Sequence, residues 1–177
     1  MADGIKLSEL SADEIEEIIR ENYADIFKYC FWRIKRQADA EDLTQETFLR
    51  FIDNLPNYSD RGKPKALLYT IARNLCINWH KQIKPLSLSD EGIENLQLSV
   101  EVDETDEIAN RLTLHKYISE LPKEQQEILM LRYYQELQIN EIAQVFGVSR
   151  FAVMYQLRTA TKKLQRRMRK EVPGYEE

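Results

Sequence analysis

Apolar residues recur at intervals of three and four along most of the chain, the period of helices that bury one face. Ile15, Ile18, Ile19, Tyr23, Ile26, Phe27, Cys30, Phe31 and Ile34 make the first stripe, and Ser11 with Glu14 forms a capping box at its head. The spacing predicts a helix from about Ser11, with a break near Asn22. After a polar turn, Gln37-Ala38-Asp39, a second stripe follows: Leu43, Thr47, Phe48, Phe51, Ile52 and Leu55. Asp39 is the expected cap of this helix, and Glu41 and Asp42 fall in its first turn, where the helix dipole favours anions. Residues 56–64 are rich in turn formers and read as a loop. A third helix is predicted over residues 65–81, with Leu68, Ile71, Ala72, Leu75 and Trp79 at helical spacing. Residues 82–105 carry no helical period and read as a linker. The pattern resumes near Thr105, with Pro122 expected in a first helical turn and Ile128, Leu129, Leu131 and Tyr134 as the next apolar set. Ile139, Ile142, Ala143 and Val145 predict a short helix, Phe146-Gly147-Val148 a tight turn, and Ser149 the cap of a last helix running to about Lys170. No strand and no internal repeat is visible. The expected fold is all-α: two small helical domains, residues 11–82 and 107–170, joined by a flexible acidic linker at 83–106.

Composition narrows the class. With 43% apolar and 31% charged residues among 177, the profile is that of a folded chain rather than a disordered one. No apolar run approaches the ~20 residues a membrane helix needs, and residues 1–10 lack a basic start followed by an apolar stretch, so neither membrane insertion nor a signal peptide is expected. Cys30 and Cys76 sit in apolar helical patterns and read as buried free thiols, which makes the cytoplasm the expected compartment. The net charge of −5 conceals a partition. Residues 1–84 hold 13 basic and 14 acidic side chains, residues 85–107 hold 8 acidic and none basic, and residues 108–177 hold 12 basic and 8 acidic. A low overall pI therefore does not exclude nucleic acid, because binding follows local fields.

The basic C-terminal part carries the sharper signal. Ala143, Gly147 and Val153 fit a helix-turn-helix: a small residue where the second helix crosses, a left-handed turn, and an anchor inside the fold. Val153, Leu157, Ala160 and Leu164 form the expected buried stripe. Ser149, Arg150, Phe151, Met154, Tyr155, Arg158 and Lys162 are the candidate DNA-reading residues, since the start of such a helix enters the major groove. Ser149 and its neighbouring amides could hold a phosphate. Arg166, Arg167, Arg169 and Lys170 extend a basic tail. Met154, Tyr155 and Gln156 make this face less basic than most, which points to contact with thymine methyls, to Gln–adenine pairing, or to weak binding. In the N-terminal part, Tyr58, Arg61, Lys63, Lys65, Tyr69, Arg73, Asn74, Asn78, Trp79, His80 and Lys81 interleave aromatics with cations and amides. That mixture suits single-stranded DNA, where bases stack on rings and cations follow phosphates; it also suits a core helix with snorkelling cations.

DAEDLTQETFLRF (residues 39–51), LLYTIARNLCINWHK (67–81) and LPKEQQEILMLRYYQELQINEIAQVFGVS (121–149) together resemble the extracytoplasmic-function (ECF) sigma factors of bacterial RNA polymerase, in the sigma-70 family, over residues 12–168. The resemblance implies two helical domains, sigma regions 2 and 4, and an alternative sigma factor that binds core polymerase, recognises −10 and −35 promoter elements and promotes melting. It implies that Asp39, Asp42, Leu43, Gln45, Glu46 and Leu49 dock on the polymerase clamp coiled coil, while region 4 meets the flap. It implies that Tyr58, Ser59, Asp60, Arg61, Lys63 and Lys65 capture a flipped base of the −10 element, and that Tyr69, Arg73, Asn74, Asn78 and Lys81 meet the −10 element and adjoining duplex. The acidic linker would run towards the active-site cleft, and an anti-sigma factor is the implied inhibitor. The sequence departs from the family's usual pattern at Leu67, where Trp is common, at Asn78, where Asp is common, and in Ala152-Val153 where Thr-Val is usual.

The alternative is a stand-alone helix-turn-helix regulator, in which residues 39–51 would have no job. An enzyme is poorly supported. His80 and His115 are the only histidines, neither has metal-ligand spacing with the cysteines, and the carboxylates are dispersed, so no catalytic residue, metal or cofactor is expected.

Overall fold

Three long helices build the N-terminal unit in the computed structural model, which describes residues 10–55, 64–83 and 114–171. The expected loop, with Tyr58, Ser59, Asp60, Arg61 and Lys63, and almost all of the acidic linker lie outside the described residues. The chain divides into two units, Met1–Gln97 and Leu98–Glu177, and each is described separately.

Helix α1 spans Ala12–Ile34. Ser11 caps it as the sequence predicts: its hydroxyl accepts from the Glu14 N–H at 3.3 Å, and its own N–H donates to Glu14 Oε2 at 2.8 Å. The break expected near Asn22 does not occur. The Asn22 side-chain amide donates back to the Ile18 carbonyl at 2.8 Å, which seats it on the helix without interrupting the ladder. Lys35 ends α1 in the left-handed region, at φ 60°, with its N–H donating to the Phe31 carbonyl.

Helix α2 spans Gln37–Asn54. Asp39 is not its cap: the helix starts two residues earlier, and Asp39 instead pairs with Arg36 across 2.9 Å. Helix α3 spans Pro64–Ile83, with proline at the position where its fixed φ and missing N–H cost least. All three helices pack on one another. Their shared core holds Ile26, Tyr29, Cys30 and Ile34 from α1, Ala40, Thr44, Thr47, Phe48 and Phe51 from α2, and Ala66, Leu68, Tyr69, Ala72, Leu75 and Cys76 from α3. Thr44 and Thr47 can be buried because each hydroxyl donates to the carbonyl four residues back. Ile52, expected in the core, is half-exposed instead, while Leu55 just past the helix end is buried. Because both neighbours cover α3, its buried arc is wide enough to include Leu67 and Tyr69. Tyr69 meets Tyr29 edge-to-face at 5.2 Å. Each such buried ring contributes roughly 1.5–3 kcal/mol by leaving water.

The C-terminal unit begins with α4, described over residues 114–119, followed by α5 (Lys123–Leu129), a π-helical turn (Met130–Tyr134), α6 (Ile139–Phe146) and α7 (Arg150–Glu171). Pro122 stands before α5 as its extended cap rather than inside the first turn. Gln126 is buried there, its amide donating to the Ser119 and Leu121 carbonyls at 3.0 and 2.7 Å. The π turn was not anticipated. The Gln135 N–H reaches five residues back to the Met130 carbonyl at 3.0 Å, and that extra residue changes the register. Leu131, Gln135 and Leu137 point inward, and Tyr134, expected in the core, is 42% exposed. Helices α5 and α6 both pack on α7 through Ile128, Ile142, Ala143, Val153, Leu157 and Ala160. Leu164, the last member of the expected stripe, is half-buried. Among the described residues there is no strand.

Candidate nucleic-acid interface

The turn between α6 and α7 aims one helix face away from its unit. Gly147 closes α6 at φ 66° and ψ 33°, and the Val148 N–H donates to the Ala143 carbonyl at 3.0 Å, a Schellman closure that reverses the chain. Ser149 then starts α7, its hydroxyl accepting from the Ala152 N–H at 3.2 Å. Val153, Leu157 and Ala160 turn inward, so Phe151, Met154, Tyr155, Arg158 and Lys162 share the outward face at steps of three and four.

Phe151 is 67%, Met154 49% and Tyr155 69% exposed. The Arg150 guanidinium lies over the Phe151 ring at 4.9 Å. Helix α7 carries Arg150, Arg158, Lys162, Lys163, Arg166, Arg167, Arg169 and Lys170 against the single acid Glu171. Of the basic tail, Arg167 also pairs with Glu120 on α4's side at 3.0 Å. Gln156 is not a free reader of bases. Its side-chain oxygen accepts from the buried Gln125 amide at 2.8 Å, so it braces α7 against α5.

An open groove separates the start of α7 from the turn that follows the π helix. Arg150, Phe151 and Met154 line one side; Arg132, Glu136, Gln138, Ile139 and Asn140 line the other. The sequence reading missed Arg132, Gln138 and Asn140. One signal was available: Arg132 is the only cation between Lys123 and Arg150. Its guanidinium also donates to the Leu137 carbonyl at 3.0 Å, which holds the turn against the groove.

In the N-terminal unit, α2 presents a second outward face. Asp42, Gln45 and Leu49 are exposed, Leu43 and Glu46 half-exposed, and Arg50 bonds Glu46 at one turn's separation, 2.6 Å. Leu49 at 58% and Ile52 at 40% exposure put apolar surface among carboxylates on the side away from the core. Asp39, held by Arg36, stands at the head of this face.

Helix α3 divides the residues assigned to it. Asn74, Asn78 and Lys81 are exposed on one stripe, and Lys65 and Arg73 are half-buried. Tyr69 is fully buried, so it is a core ring and not a surface for DNA. Trp79 and His80 are likewise engaged within the unit. Arg36 lies 5.8 Å above the Trp79 ring, Trp79 meets His80 edge-on, and His80 Nε2 donates to the Arg33 carbonyl at 3.1 Å. Aromatic–cation interleaving in this helix therefore serves packing at these three rings.

Cys30 and Cys76 are both fully buried, one on α1 and one on α3. The Cys76 thiol beside it holds the Cys30 thiol below its usual range against the opposing effect of burial, helped by the Thr44 hydroxyl and the Arg33 charge. No group of three or more metal-ligating side chains is assembled among the described residues. No described helix is long and apolar enough to cross a membrane.

A cationic recognition helix on a helix-turn-helix, with a separate three-helix unit, defines a DNA-binding protein of the helix-turn-helix class. The Sigma-70 region 2 family matches residues 18–84, and the Sigma-70, region 4 family matches residues 111–164. The ECF RNA polymerase sigma factor SigM of Bacillus subtilis (strain 168) is 31% identical over 157 residues, 86% of this chain and 96% of that protein. The RNA polymerase sigma factor YlaC of the same organism is 29% identical over 162 residues, 89% of this chain and 94% of that protein. In fold, the chain is similar to the sigma factor RpoE solved with the anti-sigma factor NepR from Bartonella quintana, with a TM-score of 0.66 at 16% identity over 90% of this chain and 99% of that one. The chain belongs to the ECF RNA polymerase sigma factors of the sigma-70 family, which direct transcription initiation. A stand-alone regulator would leave the region 2 match unexplained.

Proposed function

We propose that this alternative sigma factor divides its work between its units as follows. Residues 11–82 bind the clamp coiled coil of core RNA polymerase and the −10 element, residues 83–106 link, and residues 107–170 meet the flap and read the −35 element, in the cytoplasm of a bacterium. The observation that carries this division is the outward face of α2, with Leu49 58% exposed beside Asp42, Gln45 and Glu46. An apolar side chain ringed by carboxylates and amides is the composition of an interface centre with a polar rim. On α3, Lys65, Arg73, Asn74, Asn78 and Lys81 are the −10 contacts; Tyr69 is withdrawn from that set. On α7, Ser149, Arg150, Phe151, Met154, Tyr155, Arg158 and Lys162 are the −35 contacts, with Arg132, Gln138 and Asn140 added along the groove for the phosphate backbone.

An anti-sigma protein covering these amphipathic faces is the proposed regulator, supported by the complexes in which relatives of this fold have been solved. Pull-down from the source cell tests it: recovery of polymerase with no inhibitor counts against this part.

The main test is run-off transcription with core enzyme and a promoter library. The chain is expected to give specific starts that Leu49→Asp abolishes. A folded protein that yields no specific start across the library would overturn the reading.

A further inference from the structure

Gln125 removes one of the two base-reading chemistries open to α7. By accepting from that buried amide at 2.8 Å, the Gln156 side-chain oxygen is committed inside the unit and cannot pair with adenine through both its atoms. What remains on the leading outward stripe is apolar: Phe151, Met154 and Tyr155, at steps of three and one, followed by Arg158 and Lys162. Three large apolar side chains, 49–69% exposed and adjacent on one helix, form a patch that an isolated surface would not keep without a use. Arg150, lying over the Phe151 ring at 4.9 Å, restrains that ring at the head of the stripe. The occupant is set by charge. Helix α7 carries eight basic side chains and one acidic, so the patch faces a polyanion. In the major groove only thymine offers a methyl group; the other bases offer donors and acceptors that Phe151 and Met154 cannot pair with, and of the three side chains Tyr155 alone adds a hydroxyl beside its ring.

The geometry points to a −35 element selected through thymine: Phe151, Met154 and Tyr155 bind the 5-methyl groups of successive T·A pairs, while Arg158, Lys162 and the groove cations hold the flanking phosphates. This rests on the proposed −35 role of α7 and adds the chemistry of its discrimination.

The test uses holoenzyme reconstituted from the full chain and core polymerase. Its promoter is first selected from a randomised library. The −35 thymines of that promoter are then replaced singly by deoxyuridine, which deletes the methyl and nothing else. Each contacted position is expected to lose about threefold to fivefold in promoter-complex stability, the worth of one buried methyl. Phe151→Ala, Met154→Ala and Tyr155→Ala, all at exposed positions, are each expected to weaken the natural promoter and to abolish the deoxyuridine effect at one position. A selected −35 element without thymine, or deoxyuridine tolerated at every −35 position while transcription stays promoter-specific, would overturn the thymine reading alone. Unchanged promoter choice in all three variants would overturn it too, and would assign the patch to a protein partner. Absence of any promoter-specific complex would instead overturn the sigma-factor role on which it stands.

Discussion

Gly147 is the residue on which the helix-turn-helix pivots. At φ 66° a Cβ would meet nothing within 4 Å, so substitution costs backbone strain alone. Gly147→Ala is expected to destabilise the C-terminal unit by about 1 kcal/mol, seen as a Tm several degrees lower by circular dichroism. Glu136 shows the reverse case: a residue with a Cβ occupies φ 57°, where glycine sits without strain. Glu136→Gly is expected to raise stability by about 0.5–1 kcal/mol in the same melt. At the other end of the chain, the Ser11 N–H and then its hydroxyl hold the Glu14 carboxyl below the usual range. A depressed carboxylate supports the fold above its unfolded value and loses that support as pH falls through the lowered one. Ser11→Ala keeps the N–H, the stronger of the two, and removes the hydroxyl, so the Glu14 titration in a carboxyl NMR experiment should rise only part of the way to its usual range; an unmoved titration would contradict the hydroxyl's share of the capping box. The Gly147 turn and the Ser11 capping box were legible in the sequence because their partners lie within three to five residues; the left-handed Glu136 was not. The Gln125–Gln156 bond spans 31 residues and was not, since only the packing of α5 on α7 brings the two amides together.

At the scale of the element, period predicted the helices and most of their inner faces, including Val153, Leu157 and Ala160 on α7. It failed where packing widened or shifted the face. Tyr69 reads as a surface aromatic among cations, yet α1 and α2 both cover α3 and enclose it. Tyr69→Ala should cost about 3–5 kcal/mol in denaturant melts and unfold the N-terminal unit, whereas Asn74→Ala on the exposed stripe should stay within about 0.5 kcal/mol and lower −10 opening instead. Equal stability of the two variants would return Tyr69 to the surface. The π turn was illegible for a different reason. A five-residue step leaves no compositional trace, and it moved Tyr134 outward and Gln135 inward without changing either residue's propensity. On α2 the outer face could be named from the resemblance, but not the exposure of Leu49 and Ile52, which depends on how α1 and α3 share its inner side.

For the whole molecule, the all-α class and the two-part plan were legible from the helical period and from the acidic stretch that interrupts it at residues 85–107. Each unit presents its own outward face: apolar and acidic on α2, amide and cationic on α3, apolar and cationic on α7. Under the proposed division of work, each is a reading or docking surface of modest size. On the proposed function, the two small DNA-reading surfaces lie on separate units and gain avidity for a promoter when a third body fixes their separation. The most direct measurement is the affinity of the full chain for its promoter duplex with and without core RNA polymerase, in wild type and Leu49→Asp. The chain alone is expected to bind weakly and with little sequence preference. Core polymerase should convert this to tight, promoter-specific binding, and Leu49→Asp should lose that conversion while melting at the wild-type temperature. Tight, specific duplex binding by the chain alone, unchanged by polymerase, would contradict the account.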